Sequence, residues 1–243
     1  MEKFIFDTAE EAGKEAAARA AALLNAQIRE RGSARLLLST GMSQFEFFNN
    51  IVREEVDWGK VEVFHLDEYV GISPEHPASF VKYIRERFLR FVEPKAAYFV
   101  DGIADVNENI RYLTEQVRSA PIDVAMIGIG ENAHIAFNDP PADFDTEESF
   151  IIVNLDEKCR LQQVGEGWFE DISQVPVQAV TMTVSQIMKS RHILSCVPYR
   201  EKAWAVRKTL EEGVSNEIPA SILKAHPSCA LLLDREAASL LRQ

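Results

Sequence analysis

Short apolar runs alternate with stretches whose apolar residues recur at helical spacing along most of the chain. Thr8-Ala9-Glu10-Glu11 has the form of a capping box, and Ala16, Ala20, Leu23, Leu24 and Ile28 then follow at helical spacing. Arg31-Gly32-Ser33 stops that helix, and Leu36-Leu37-Leu38 predicts a buried strand. A second helix carries Phe45, Phe48, Ile51 and Val52 on one face, and residues 61–66 (VEVFHL) predict the next strand. Beyond the Pro74/Pro77 turn, Phe80, Tyr83, Ile84, Phe88 and Phe91 mark a third amphipathic helix, and residues 105–118 predict another. Strands are predicted at 123–127, 193–197 and 229–233, with a helix over roughly 199–212 that stops at Gly213.

This alternation predicts an α/β fold: a mostly parallel central sheet, Rossmann-like, with helices on both faces. No internal repeat or low-complexity linker divides the sequence, so residues 1–243 read as a single domain. Residues 139–175 break the pattern, being rich in Asp, Glu, Gly and Gln with weak periodicity. A segment that long inside a compact domain predicts a mobile lid, taken as about 142–175.

Composition narrows the classes. At 47% hydrophobic and 26% charged residues the chain is not expected to be disordered. It has no run of 18 apolar residues, and its acidic start lacks the apolar stretch of a secretory signal, so a cytoplasmic protein with no membrane partner is expected. Three scattered cysteines, Cys159, Cys196 and Cys229, form neither a disulfide framework nor a CxxC pair. The net charge is −12 with no basic block, which argues against a nucleic-acid partner. An anionic ligand would have to be held by a local device such as a helix N-terminus.

Ligands of open α/β sheets bind beyond the carboxyl ends of the strands, and three such ends carry unusual chemistry. Ser39-Thr40-Gly41-Met42-Ser43 runs from a strand into a helix, and reads either as an ordinary helix cap or as a phosphate or carboxylate cradle. It is not a Walker loop, since no GKS or GKT follows. His65-Leu66-Asp67-Glu68-Tyr69-Val70-Gly71 sets two carboxylates after an apolar strand, either as solvated capping acids or as proton-transfer groups. The third segment, residues 128–141 (GIGENAHIAFNDPP), formally contains a dinucleotide fingerprint, but Pro140-Pro141 leaves no room for its helix. What remains is a glycine-rich turn with His134 five residues before Asp139, where a carboxylate could orient the imidazole. HExxH, clustered His/Cys and GxSxG are all missing from the sequence, so no protein-held metal is expected and acid–base chemistry on a small anion survives.

The segments STGMS, HLDEYVGI and GIGENAHIAFNDPP, with the later Gln174-Val175-Pro176 and Ala179-Val180-Thr181-Met182-Thr183-Val184, occur in the order found in glucosamine-6-phosphate deaminases. The chain resembles that family over nearly its whole length. The resemblance implies a parallel sheet with a flexible lid, no metal or organic cofactor, and conversion of glucosamine 6-phosphate and water to fructose 6-phosphate and ammonia. It also implies roles. Asp67 maps onto the enolisation base and His134 onto the ring-opening histidine, with Asp139 and Asn132 in the same hydrogen-bonded group. Ser39, Thr40, Gly41, Met42 and Ser43 map onto the phosphate loop and Lys202 onto a phosphate-binding lysine, while Glu68 and Gly130 are expected beside the substrate.

There are departures. Familiar members read TGGTP or TGSTP where this chain has TGMSQ, Gly at Ala133, and Glu at Asp139. Their lid arginine falls between Gln163 and Gly165, with Arg160 the nearest candidate for its place on the phosphate. A 6-phosphogluconolactonase, whose motifs run roughly DER and GxGxDGHTASLFP, and a sugar-phosphate sensor are the competing readings. Residues 142–151 hold four acids and no Lys or Arg. The basic residues that hexameric members use to bind an anionic effector are therefore absent there, and a monomer or small homo-oligomer is expected.

Overall fold

The computed structural model describes residues 1–165 and 167–242, apart from the side chains of Lys158 and Gln162. Glu166, inside the expected lid, lies outside the described residues. The strands are β1 (Glu2–Phe6), β2 (Ala34–Leu38), β3 (Val61–His65), β4 (Asp67–Tyr69), β5 (Ala96–Tyr98), β6 (Val124–Met126), β7 (Phe150–Asn154), β8 (Gln178–Met182), β9 (His192–Cys196) and β10 (Cys229–Asp234). The helices are α1 (Ala9–Arg31), α2 (Phe45–Ile51), α3 (Phe80–Ile84), α4 (Val106–Arg118), α5 (Glu157–Gly165), α6 (Val184–Ile187) and α7 (Ala203–Glu211).

Seven strands form a wholly parallel sheet in the order β1-β10-β9-β6-β2-β3-β5. Every residue of β2, the Arg35 side chain included, is buried, as its place inside this sheet, covered on both faces, requires. Alternate residues feed two cores. Leu37, Ala125, Ile193 and Leu231 face α4 and α7 on one side. Leu36, Leu38, Val124 and Leu232 face α1, α2 and α3 on the other.

Helix α1 begins as its capping box predicts, with Thr8 Oγ1 accepting from Glu11 N at 3.2 Å, and it ends at Gly32 in the left-handed region at φ 80°. Its buried face is alanine-rich, so α2 can approach closely. A Cβ added at Gly13 would lie 2.4 Å from Glu46 Cβ and 2.6 Å from the Glu46 carbonyl carbon, so glycine is required by the helix crossing.

The structure corrects the expected elements in four places. The expected strand over 61–66 stops at His65, and the chain then enters β4 in a second, three-stranded antiparallel sheet ordered β4-β8-β7. The expected helix over 199–212 starts as a 3₁₀ turn, Arg200–Lys202, before α7. Part of the expected lid is not loop: β7 is laddered along its length to β8, and α5 follows. The expected helix after Pro77 forms as α3 and then widens into a π turn over Arg85–Leu89. Among the described residues no helix is long and apolar enough to cross a membrane.

Gly13→Val is expected to lower the melting temperature by about 4 °C or more, because overpacking a close crossing costs about 1–3 kcal/mol and each kcal/mol shifts a chain of this size by about 2–4 °C. Gly59→Ala, where the nearest atom is an Asp57 carboxylate oxygen at 3.7 Å, is the control and should melt within about 2 °C of wild type. Equal effects of the two substitutions would refute the packing account.

Candidate active site

One cleft opens where β2, β3, β6 and β9 leave the parallel sheet, at their carboxyl ends. Its first wall is the turn between β2 and α2. Gly41 sits at φ 99°, ψ 168°, a conformation that a side chain would strain, and its carbonyl accepts the Tyr83 hydroxyl at 2.9 Å. Gln44 is fully buried and donates through Nε2 to Ser43 Oγ and to Cys196 O, both at 3.0 Å, tying the turn to the end of β9. Ser39 Oγ is buried on this wall with no hydrogen-bond partner among the described residues.

Asp67 and Glu68 are neighbours in β4, so their side chains leave on opposite faces. Asp67 lines the cleft. Burial, helped by the charge of Glu68, pushes its carboxyl up to about 8. Glu68 does not reach the cleft, which corrects its expected place beside the substrate. It accepts from Ser79 Oγ at 2.7 Å, Val81 N at 3.0 Å and Tyr69 N at 3.0 Å, and so caps the start of α3.

The turn after β6 carries the imidazole. His134 Nδ1 lies 3.0 Å from Asp139 Oδ1, and Asn132 Nδ2 donates to the same oxygen at 2.9 Å. Asn132 Oδ1 in turn accepts from His134 N at 3.1 Å. Burial opposes ionisation of Asp139, but the contacts from His134 and Asn132 outweigh it and hold the carboxyl below its usual range. The shorter Asp side chain therefore still reaches the ring. Gly130 has a steric role, since a Cβ there would lie 2.2 Å from His134 Nε2. Asp139 and Asn132 stand behind the imidazole and outside the cleft lining, where they position it rather than meet a ligand.

Lys202 lines the far end of the cleft, beside Tyr199 and Glu201, where the chain enters α7. Arg160 does not join it, a second correction. Its Nη2 donates to Ile172 O at 2.6 Å and Val175 O at 3.1 Å, so it fastens α5 to the following loop. The α5 residue that lines the cleft is Gln163, whose Oε1 accepts the buried Tyr69 hydroxyl at 2.8 Å, turning its Nε2 donors the other way. Ser39, Thr40, Gly41, Met42, Ser43, Asp67, Gly130, His134 and Lys202 thus share one cleft, whereas Glu68 and Arg160 lie apart. Sequence reasoning missed Gln163 and Tyr199. An uncharged amide carries no motif, although the DEYVG tyrosine that orients it was in view.

The family model described as glucosamine-6-phosphate isomerases/6-phosphogluconolactonase matches residues 7–231. A glucosamine-6-phosphate deaminase of Oenococcus oeni is 34% identical over 216 residues, 88% of this chain and 90% of that protein. The structure of a monomeric glucosamine-6-phosphate deaminase superposes with a TM-score of 0.90 at 32% identity, covering 99% of this chain and 100% of the other. The 6-phosphogluconolactonase of Trypanosoma brucei shares the fold, with a TM-score of 0.81 at 16% identity over 99% of this chain and 98% of its own. With the motifs in order along the chain and the cleft residues assembled from four strand ends, this protein belongs to the glucosamine-6-phosphate isomerase/6-phosphogluconolactonase family.

Proposed function

We propose that this chain is an amino-sugar-phosphate isomerase and deaminase, converting glucosamine 6-phosphate and water to fructose 6-phosphate and ammonia. The observation that carries the reading is one cleft holding a buried carboxylate with a raised pKa, a carboxylate-oriented imidazole, and an end lined by hydroxyls and Lys202. The deaminase relatives support the same chemistry.

Ser39, Thr40, Ser43 and Lys202 bind the phosphate, which sets the sugar along the cleft. His134, steadied at Nδ1 by Asp139, presents Nε2 to the anomeric hydroxyl and passes its proton to the ring oxygen, opening the pyranose. Asp67 takes the proton from C2 and returns it to C1 through an enolamine. The resulting C2 imine adds water and expels ammonia, leaving the ketose. A base whose pKa is about 8 is matched to this step, and the C2 ammonium arriving beside Asp67 favours its ionised form. Residues 142–175 act as the lid of a single sugar-phosphate domain, with α5 and its flanks as the part that covers the cleft through Gln163 and Trp168. The protein works as a monomer, a reading supported by the likeness to a monomeric deaminase and by the acidic 142–151 stretch.

Ammonia release from glucosamine 6-phosphate, assayed beside hydrolysis of 6-phosphogluconolactone, tests the reading directly. Turnover of the lactone alone would replace it with the lactonase, and turnover of neither with a sensor. Asp67→Asn should keep sugar-phosphate binding and lose more than nine-tenths of turnover, since the amide cannot accept the C2 proton. In the wild type, kcat/KM should rise with pH to a plateau above about 8, the free-enzyme pKa of Asp67. An acid limb at pH 5 would assign the base elsewhere. The sign of the stability effect follows from the same shift. Asp67 ionises near 3.8 when unfolded and near 8 when folded, so its contribution is present below pH 4 and lost as pH rises to 8. The melting temperature of D67N should therefore gain on wild type across that window.

His134→Gln should lose more activity on the closed pyranose than on an open-chain analogue. Equal losses on the two substrates would leave His134 a structural part only. Lys202→Ala should raise KM severalfold with kcat little changed, because a lysine on phosphate acts alike in ground and transition states. An unaltered KM would remove Lys202 from the phosphate end.

A further inference from the structure

Tyr199 stands at φ 84°, ψ 149°, a backbone region populated essentially by glycine. Its backbone is pinned from three directions. The Tyr199 N–H donates to both Asp234 carboxylate oxygens at 3.1 Å, and Asp234, buried at the end of β10, also accepts from Ala237 N at 2.7 Å. Two residues earlier, Val197 N donates to Leu232 O at 2.9 Å, and beyond the strained residue Lys202 N donates to Tyr199 O at 3.1 Å. Glycine would make every one of these hydrogen bonds without strain, because all of them use main-chain groups of this turn. The turn therefore does not call for a side chain. What the strained conformation retains is the phenol.

Tyr199 lines the cleft on the wall it shares with the Ser39–Ser43 turn and Lys202. It is half-buried, and it lies within electrostatic reach of Tyr83, the residue whose hydroxyl holds the Gly41 carbonyl. Burial, together with Glu46, Asp234 and Glu201 nearby, keeps the phenol protonated through the neutral range, so it is a hydrogen-bond donor. Strained residues that survive at a ligand site do so because their surroundings over-determine them, as the Asp234 clamp does here.

We propose that Tyr199 is a substrate-binding residue of this cleft, kept in a glycine conformation so that its phenol donates to the phosphate held by the Ser39–Ser43 turn. The proposal rests on the reading of the cleft as a sugar-phosphate site. It adds a neutral donor to Lys202 at the anion end, which suits a chain of net charge −12 that places few cations around its ligand.

Three variants test it: Tyr199→Gly, Tyr199→Ala and Tyr199→Phe. The readouts are the melting temperature, the kinetics with glucosamine 6-phosphate, and the calorimetric Kd of inorganic phosphate. Alanine keeps the strained Cβ and glycine does not, so Y199G should melt above Y199A by about 2 °C or more. Both should raise KM and the phosphate Kd about fivefold or more, with kcat within about twofold of wild type. Y199F should raise the same two constants about threefold, the share of one hydrogen bond. Unchanged KM and phosphate Kd in Y199G and Y199A would overturn the proposal, and so would equal melting of those two variants. A wild type that releases no ammonia, yet binds phosphate more tightly than Y199A, would sink the deaminase reading and uphold this one. A wild type that binds no phosphate would overturn both.

Discussion

Strand β8 is the member on which the cleft depends, because its hydrogen bonds tie the Asp67 strand to the His134 turn. These residues leave two different strands of the parallel sheet, and nothing in a parallel sheet fixes the loops beyond its strand ends. In the small antiparallel sheet Thr181 stands opposite Asp67, and Met182 N donates to Leu66 O at 2.8 Å. The same threonine accepts Phe137 N at 3.1 Å through Oγ1, and Asn138 Nδ2 donates to Met182 O at 2.9 Å. Thr181 is fully buried, so these bonds are shielded from water. A misplacement of about 1 Å can cost a hundredfold in rate, and this crosspiece limits the distance between carboxylate and imidazole.

The two carboxylates in this region are pushed in opposite directions by their surroundings. Asp67 is buried on a strand beside another carboxylate and holds its proton up to about 8. Asp139 is half-buried, yet the ring of His134 and the amide of Asn132 keep its carboxyl below its usual range. Environments that drive paired acids apart assign them different tasks. The acid that keeps its charge orients the imidazole, and the acid that yields and regains a proton near neutral pH faces the cleft. Glu68, on the opposite face of β4, serves α3 instead of the ligand: three donors reach it, yet burial still raises its carboxyl above the usual range.

How far the sequence could be read depended on whether a signal was local. The parallel sheet was legible because β2, β6, β9 and β10 are largely apolar and almost wholly buried, and α1 because its cap, alanine stripe and terminal glycine agree. The second sheet was not, since β4 has three residues and β7, inside a polar stretch, buries only Phe150 and then alternates half-buried and exposed positions. Its β4–β8 ladder joins residues more than 100 positions apart, which no local period reports. At the site, motif residues located the cleft, but motifs do not say which way a side chain points. Glu68 was misplaced because strand alternation could be applied only once β4 was known to be a strand. Arg160 was misplaced because its partners are carbonyls twelve and fifteen residues on, contacts that composition cannot suggest.

The distribution of left-handed residues separates turns that only need to bend from turns that must also carry a side chain. Gly32, Gly41, Gly71 and Gly167 take positive φ at no steric cost, as helix ends and loops require. The non-glycine residues with positive φ among the described residues, Ala133, Ala136 and Tyr199, all belong to the two loops that frame His134 and Lys202. Each such residue costs about 1–3 kcal/mol, so three together amount to a sizeable fraction of a domain's net stability. They persist because each turn is fastened elsewhere. Ala133 donates to Gly130 O at 3.0 Å and accepts from Ala220 N at 2.9 Å, and Tyr199 is clamped by Asp234. The Ala133 methyl is packed in the main core, which offsets part of its strain and holds the histidine turn against the sheet. A rim built this way resists deformation when a ligand enters.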